Sequence, residues 1–334
     1  MSTSAPPPDS RLDLTRGPAR QRALTALGAA VSLAALAGVV YWALHQDAPT
    51  LPDSPSRLAL LAAAIGVYLA GCAARGERWM ALLHHNGAQP DRADVHSLIA
   101  VGYLGNNVLP ARAGDALRVY FLAPRARTDA RTVLGTIVAE RLLDVVLLVG
   151  LFVVLAYGFL GGIDTPSAGR LVGAALIVAA LIALLVAAAF VLWRRGHLRR
   201  VIDFLAPIGA ATLRMRGRHG AELLAWSALV WALEWGSWWL TAEAIGLHLG
   251  ALEVGYLMGL ATVFVLIPSG PGYVGTFDAA LIFGLHALDY SGAVVLSYLL
   301  LLRFVIAVPI TLLGLVALVT RFGGIARMRA AVRT

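Results

Sequence analysis

Long apolar runs separated by short polar stretches dominate this chain. Six of the runs can cross a hydrocarbon core of about 30 Å as helices rising 1.5 Å per residue. They are Ala23–Leu44, Leu58–Leu83, Val133–Phe159, Leu171–Trp193, Leu223–Ile245 and Ala293–Val319. A secretory signal has a shorter apolar stretch of about 7–15 residues. Ala23–Leu44 is longer, uncharged and followed by His45-Gln46-Asp47, so it reads as a retained first span.

Two other apolar segments are interrupted. Val95–Leu122 is broken by Asn106-Asn107-Val108-Leu109-Pro110-Ala111-Arg112-Ala113-Gly114-Asp115. Val254–Leu288 is broken by Pro268-Ser269-Gly270-Pro271-Gly272-Tyr273-Val274-Gly275-Thr276-Phe277-Asp278. Proline removes a backbone donor and glycine weakens a helix, so each segment predicts half-helix, break, half-helix. Between full spans, the first break lies between two cytoplasmic ends and the second between two external ends. They are expected to be re-entrant hairpins entering from opposite faces, with Pro110/Gly114 matching Pro268/Gly272. Broken segments at corresponding positions of two halves are the pattern of an inverted-repeat transporter. The expected fold is therefore all-α, with six full transmembrane helices plus two broken re-entrant hairpins in opposite orientation. The alternative is eight or more short tilted spans.

Composition supports the membrane reading. Hydrophobic residues are 59% of the 334 and charged residues only 14%, with a mean hydropathy of +0.77. A soluble domain averages about 45–50% apolar and about 25% charged. All 27 basic residues are arginine, and their placement gives the orientation. Segment 194–218 holds Arg194, Arg195, Arg199, Arg200, Arg214, Arg216 and Arg218, whereas loops 45–57 and 160–170 hold one Arg each. Both termini are expected in the cytoplasm, in a multi-pass protein of the plasma membrane. Residues 1–22 read as a disordered cytoplasmic N-terminus, 23–320 as one transmembrane domain and 321–334 as a basic cytoplasmic tail. Residues 198–214 read as an amphipathic surface helix or an Arg-rich solvated linker. The net charge of +8 does not imply nucleic acid, because no basic stretch has interleaved aromatics. A lone Cys72 allows no internal disulfide.

The candidate chemistry lies in charges placed where a bilayer disfavours them. Glu140, Arg141 and Asp144 lie in the first half of one span, Glu234 and Arg303 near the middle of two others. Each central charge costs about 2.5–3.5 kcal/mol on insertion scales, so these groups are expected to pair or to face a wet cavity. The breaks add Arg112, Asp115, Arg118 and Asp278. Gly270-Pro271-Gly272-Tyr273-Val274-Gly275 fits G-x-G-x-x-G, but no strand or βαβ unit surrounds it, so a dinucleotide site is rejected. Its glycines instead permit an unwound turn whose amides can meet an anionic group. Trp231, Trp235 and Trp238 form a stripe beside Glu234, read as helix packing or the wall of a lipid path. His84-His85 read as a solvated interfacial pair, and no metal or cofactor is expected.

Four motifs in order carry a family resemblance: Asn106 to Arg118, Glu140-Arg141-Leu142-Leu143-Asp144, Pro271 to Asp278, and Arg303 in the last span. With Arg75-Gly76-Glu77-Arg78-Trp79, they resemble the lysylphosphatidylglycerol synthase transmembrane region, the flippase-like membrane half of MprF-type proteins. The resemblance implies movement of lipids or lipid-linked headgroups between leaflets. The chain stops at Thr334, without the soluble aminoacyl-transfer domain of MprF-type proteins, so lipid aminoacylation is not expected. Gly272-Tyr273 stands where the family has a glycine pair, and Asp278 where Glu is common.

The expected function is a lipid flippase or transporter with a central polar cavity. Its substrate-binding residues are Asn106, Asn107, Arg112, Asp115, Arg118, Glu140, Arg141, Asp144, Gly270, Gly272, Gly275, Asp278 and Arg303. Arg112, Arg118 and Arg303 would hold phosphate, while Glu140, Asp144 and Asp278 balance charge or bind a cationic headgroup. Expected partners are membrane lipids, anionic or polyprenyl-linked, and no nucleic acid. A separately encoded lipid-modifying enzyme and a homo-oligomer are further partner readings. The alternatives in function are a membrane transferase on a lipid-linked substrate, or a membrane subunit supporting a separate enzyme.

Overall fold

The computed structural model describes residues 36–109, 113–160, 217–265 and 271–333, and every regular element among them is helical. Residues 36–43 are helical. The rest of the expected first span, the span Leu171–Trp193, segment 198–214, Arg112 and Gly270 lie outside the described residues. The numbered helices are α1 (Pro55–His85), α2 (Arg92–Val108), α3 (Ala113–Arg125), α4 (Ala130–Leu160), α5 (Arg218–Glu243), α6 (Ala251–Val265), α7 (Thr276–Ala287), α8 (Ala293–Arg321) and α9 (Gly324–Arg333). A 3-10 turn, Pro271–Tyr273, precedes α7.

Local chemistry sets several starts. The Ser54 side chain accepts from the Arg57 amide and Pro55 fills the first turn of α1, where no amide donor is needed. Asp91 accepts from the Asp94 amide before α2. Each interrupted segment holds two helices, α2 ending at Val108 with α3 starting at Ala113, and α6 ending at Val265 with α7 starting at Thr276.

The order long, short, short, long occurs twice, as α1–α4 and α5–α8, and the packing doubles with it. The contacts α1–α4, α2–α3 and α3–α4 recur as α5–α8, α6–α7 and α7–α8. Across the halves, α1 touches α8 as α5 touches α4, and α2 lies on α8 as α6 touches α4. The counterparts α1 and α5 pack on each other and run antiparallel, because Arg78 bonds Ser227 and Arg75 bonds Glu234. The two sets of four described helices thus share one contact pattern, and their first members run antiparallel.

Of the six expected full spans, α1 and α8 have both the length and the apolarity to cross a membrane. Helices α4 and α5, of 31 and 26 residues, have the length. On α8 the exposed side chains Leu300, Phe304, Val308, Leu312, Leu315 and Val319 recur at helical spacing. Such a stripe would be unfavourable in water and matches hydrocarbon. Beneath it, one apolar cluster centres on Trp79, Leu98 and Leu122, and a second on Leu257, Leu281 and Tyr298.

Candidate functional site

Between the halves lies a cavity of about 390 Å³ bordered by α1 to α8 and by the second break. Asn106, Asn107, Asp115, Arg118, Glu140, Arg141, Asp144, Gly272 and Arg303, all expected from sequence, line it. The two breaks meet here. A Cβ on Gly272 would lie 3.5 Å from the Asn107 carbonyl oxygen, at the end of α2. Asn106 accepts from the Gly114 amide at 3.1 Å, and Asn107 donates to Thr311 of α8 at 2.8 Å. These asparagines tie the first break to its own hairpin and to the opposite half.

The cavity charges are paired almost one for one. Glu140, 3% exposed, accepts from Arg118 at 2.7 Å and lies 3.9 Å from Arg78. Arg78 donates to Asp144 at 2.6 Å and to Ser227 at 2.9 Å. The Arg118 guanidinium also lies 3.8 Å over the Trp79 ring, a cation–π contact. Arg75 and Glu234 pair at 2.7 Å across α1 and α5. Among the described residues, five arginines thus face five carboxylates once Asp278, behind Arg303, is included. Buried charges left unpaired would be far costlier, so charge balance is what lets them stay.

Asp115 and Asp278 occupy the same place in the two halves. Each is the third residue of the short helix after its break, α3 or α7. Each meets an arginine of the next long helix: Asp115 lies 3.5 Å from Arg141, and Asp278 lies 2.6 Å from Arg303. The two differ in what else the arginine holds. Arg303 also donates to the Gly272 and Tyr273 carbonyls, at 2.5 and 3.1 Å, satisfying acceptors freed by the unwound turn. Gly272 has φ of 63° and Gly275 of 90°, left-handed values suited to glycine. Asp278 accepts from the Gly275 amide at 2.8 Å and closes the start of α7. Gly275 and Asp278 therefore shape the break behind the cavity wall. Arg141, by contrast, is 53% exposed and its carboxylate partners stand at 3.5 and 3.8 Å.

Sequence reasoning left Arg75, Arg78, Tyr68, Tyr103 and Glu234 out of the binding set, although all line the cavity. The signal was present for Arg75 and Arg78, two arginines inside the run Leu58–Leu83. The tryptophan stripe divides. Trp231 donates to Asp144 at 3.2 Å and Trp238 to Glu234 at 3.3 Å, both at the cavity, whereas Trp235 stacks on Trp239. Three buried guanidinium nitrogens, Arg75 Nη1, Arg78 Nε and Arg118 Nε, have no hydrogen-bond partner among the described residues.

Known proteins place this arrangement. A 108-residue stretch is 32% identical to glycosyltransferase AglD of Haloferax volcanii, covering 32% of this chain and 17% of that protein. The chain thus spans under a fifth of the curated relative it matches. No solved structure matches. Residues 26–314 match the lysylphosphatidylglycerol synthase TM region, across both breaks and the cavity charges, and the chain belongs to that membrane-protein family.

Proposed function

We propose that this protein moves a phospholipid or lipid-linked headgroup between membrane leaflets through the cavity. One observation carries the reading: a charge-balanced cavity lies where two interrupted helices meet, inside a bundle whose last long helix is apolar toward the outside. A membrane family and an apolar exterior support a lipid-related role; a polar interior supports passage of the headgroup while acyl chains stay in hydrocarbon. In this reading the breaks are re-entrant hairpins from opposite faces, and both termini are cytoplasmic.

The roles divide by how each arginine is engaged. Arg303 positions the second break through its carbonyl contacts. Arg78 and Arg118 provide a buried positive field balanced by Glu140 and Asp144. Arg141, with loose partners and an exposed guanidinium, is the group best placed to exchange a carboxylate for an incoming phosphate. Arg112 is the sequence-based candidate to join it. The acidic groups balance these cations and offer sites to a cationic headgroup.

The direct test is leaflet translocation of labelled lipids in proteoliposomes, comparing wild type with Arg141→Gln and Glu140→Gln. At least tenfold slower movement in both variants is expected. Equal rates in all three proteins would reject the site, and no movement across a broad lipid panel would reject the function. The match to a glycosyltransferase favours a second reading, a membrane transferase acting on a lipid-linked substrate or a membrane subunit supporting such an enzyme. Lipid mass spectrometry of a deletion strain separates the two: loss of a modified lipid favours the second, altered sidedness of an unchanged lipid the first.

A further inference from the structure

His85 ends α1, and His219 and Glu222 stand in the first turns of α5. These residues are distant in sequence, which is why no metal spacing was legible there. The antiparallel packing of α1 on α5 brings them together. One ligand atom from each lies within 4.8 Å of the others. His85 Nε2 is 3.9 Å from Glu222 Oε2, and the two imidazole centroids are 4.1 Å apart. None of the three side chains makes a hydrogen bond to another described residue.

We infer that His85, His219 and Glu222 form a binding site for a divalent transition-metal ion, Zn²⁺ by ligand chemistry, that clips the end of α1 to the start of α5. Two imidazoles and one carboxylate form a known tetrahedral zinc set with water in the fourth position. Bonds of about 2.1 Å put tetrahedral ligand atoms about 3.4 Å apart, so closure asks for side-chain movements of about 1.5 Å or less. Rotation provides them, because His219 and Glu222 are exposed. An imidazole binds metal through its neutral form. Magnesium and calcium prefer oxygen ligands and do not suit this set.

The location gives the site a purpose. Arg75 lies ten residues before His85 on α1, about 15 Å along the helix. An ion would therefore fasten the α1–α5 seam well away from the cavity, leaving its charges free for a headgroup. It would restrain sliding of one half on the other.

The test uses the full chain, stripped with chelator and titrated with Zn²⁺ against a chromophoric competitor. One ion per chain is expected, with affinity at least tenfold weaker in His219→Ala and in Glu222→Gln. Zn²⁺ should raise the thermal unfolding temperature of wild type and of neither variant. Mg²⁺ should not compete. Both substitutions lie at exposed positions, and size-exclusion profiles confirm that each variant is folded. Absence of saturable Zn²⁺ binding by wild type, or unchanged binding in both folded variants, would overturn the site. Neither result depends on lipid movement.

Discussion

Glu140 is the carboxylate on which two buried arginines depend. Arg118 lies 2.7 Å away and its other carboxylate neighbour, Asp115, stands at 3.5 Å, while Arg78 is also held by Asp144. Glu140→Leu should therefore strand Arg118 more than Arg78, at a cost of about 3–5 kcal/mol, the usual loss on breaking a buried pair. Unfolding in detergent measures it. The double variant Glu140→Leu/Arg118→Met, which removes both charges, should recover most of that loss; additive losses would show that the two are not coupled. The charges of α4 and Arg303 were legible because ionised groups in an apolar run stand out. Arg75 and Arg78 were harder to weigh, because arginines near a span end ordinarily extend to the interface. Only packing of α5 on α1 supplies Glu234 to one, and only packing of α4 supplies Asp144 to the other. The sequence likewise assigned Arg303 to phosphate without showing that Asp278 and two carbonyls already engage it.

The α2–α3 hairpin depends on a close backbone approach. A Cβ on Gly114 would collide with the Gly102 carbonyl oxygen, and one on Gly105 would lie 2.6 Å from the Gly114 Cα. Neither neighbour can rotate away, since both are backbone. Gly114→Ala is expected to pry the hairpin apart and cost at least about 1–3 kcal/mol, the usual penalty of overpacking. Gly66→Ala in α1 is the control: nothing lies within 4 Å of the added methyl, and helix propensity predicts a gain of up to about 1 kcal/mol. Thermal unfolding of both variants checks the contrast. The start of α4 makes a second, pH-dependent prediction. Asp129 accepts from the Thr132 amide at 2.6 Å and from its hydroxyl at 2.9 Å, and these bonds hold its pKa below the usual carboxylate value. A lowered folded pKa gives stability that is complete above the unfolded value of about 3.9 and is lost as pH falls through the folded one. Asp129→Ala should cost about 1 kcal/mol near neutrality, and its deficit against wild type should shrink in acid. Both breaks were legible as elements, since proline and glycine punctuate an apolar run. Their meeting was not, because the contact of Gly272 with Asn107 joins segments over 160 residues apart and leaves no local pattern.

Movement of a lipid across the bilayer, as proposed, requires the cavity to open alternately toward each face, and the α1–α5 seam is where the halves would shift. These helices are counterparts in the doubled architecture, antiparallel and packed along much of their length, and side chains of both line the cavity, so sliding along the seam would change its shape. Each broken segment could be read alone in the sequence, and the expected topology gave α1 and α5 opposite directions, but their packing on one another emerges only when both halves are folded. It also offers a way to arrest the motion. A Cβ built on Gly71 lies 3.5 Å from the Leu233 Cβ, at the near edge of the roughly 3.5–4.5 Å that a disulfide spans. Gly71→Cys with Leu233→Cys, in a Cys72→Ala background that removes the only native thiol, should cross-link under mild oxidation. If transport depends on sliding of α1 against α5, the oxidised protein should move labelled lipid at least tenfold more slowly, and reductant should restore the rate. The reduced form serves as its own control for any effect of the substitutions on folding. A fully cross-linked protein that moves lipid at the reduced rate would show that the seam stays closed throughout. Passage would then have to proceed by rearrangement of the breaks within a fixed frame, with the Arg303 contacts to Gly272 and Tyr273 as the elements that give way.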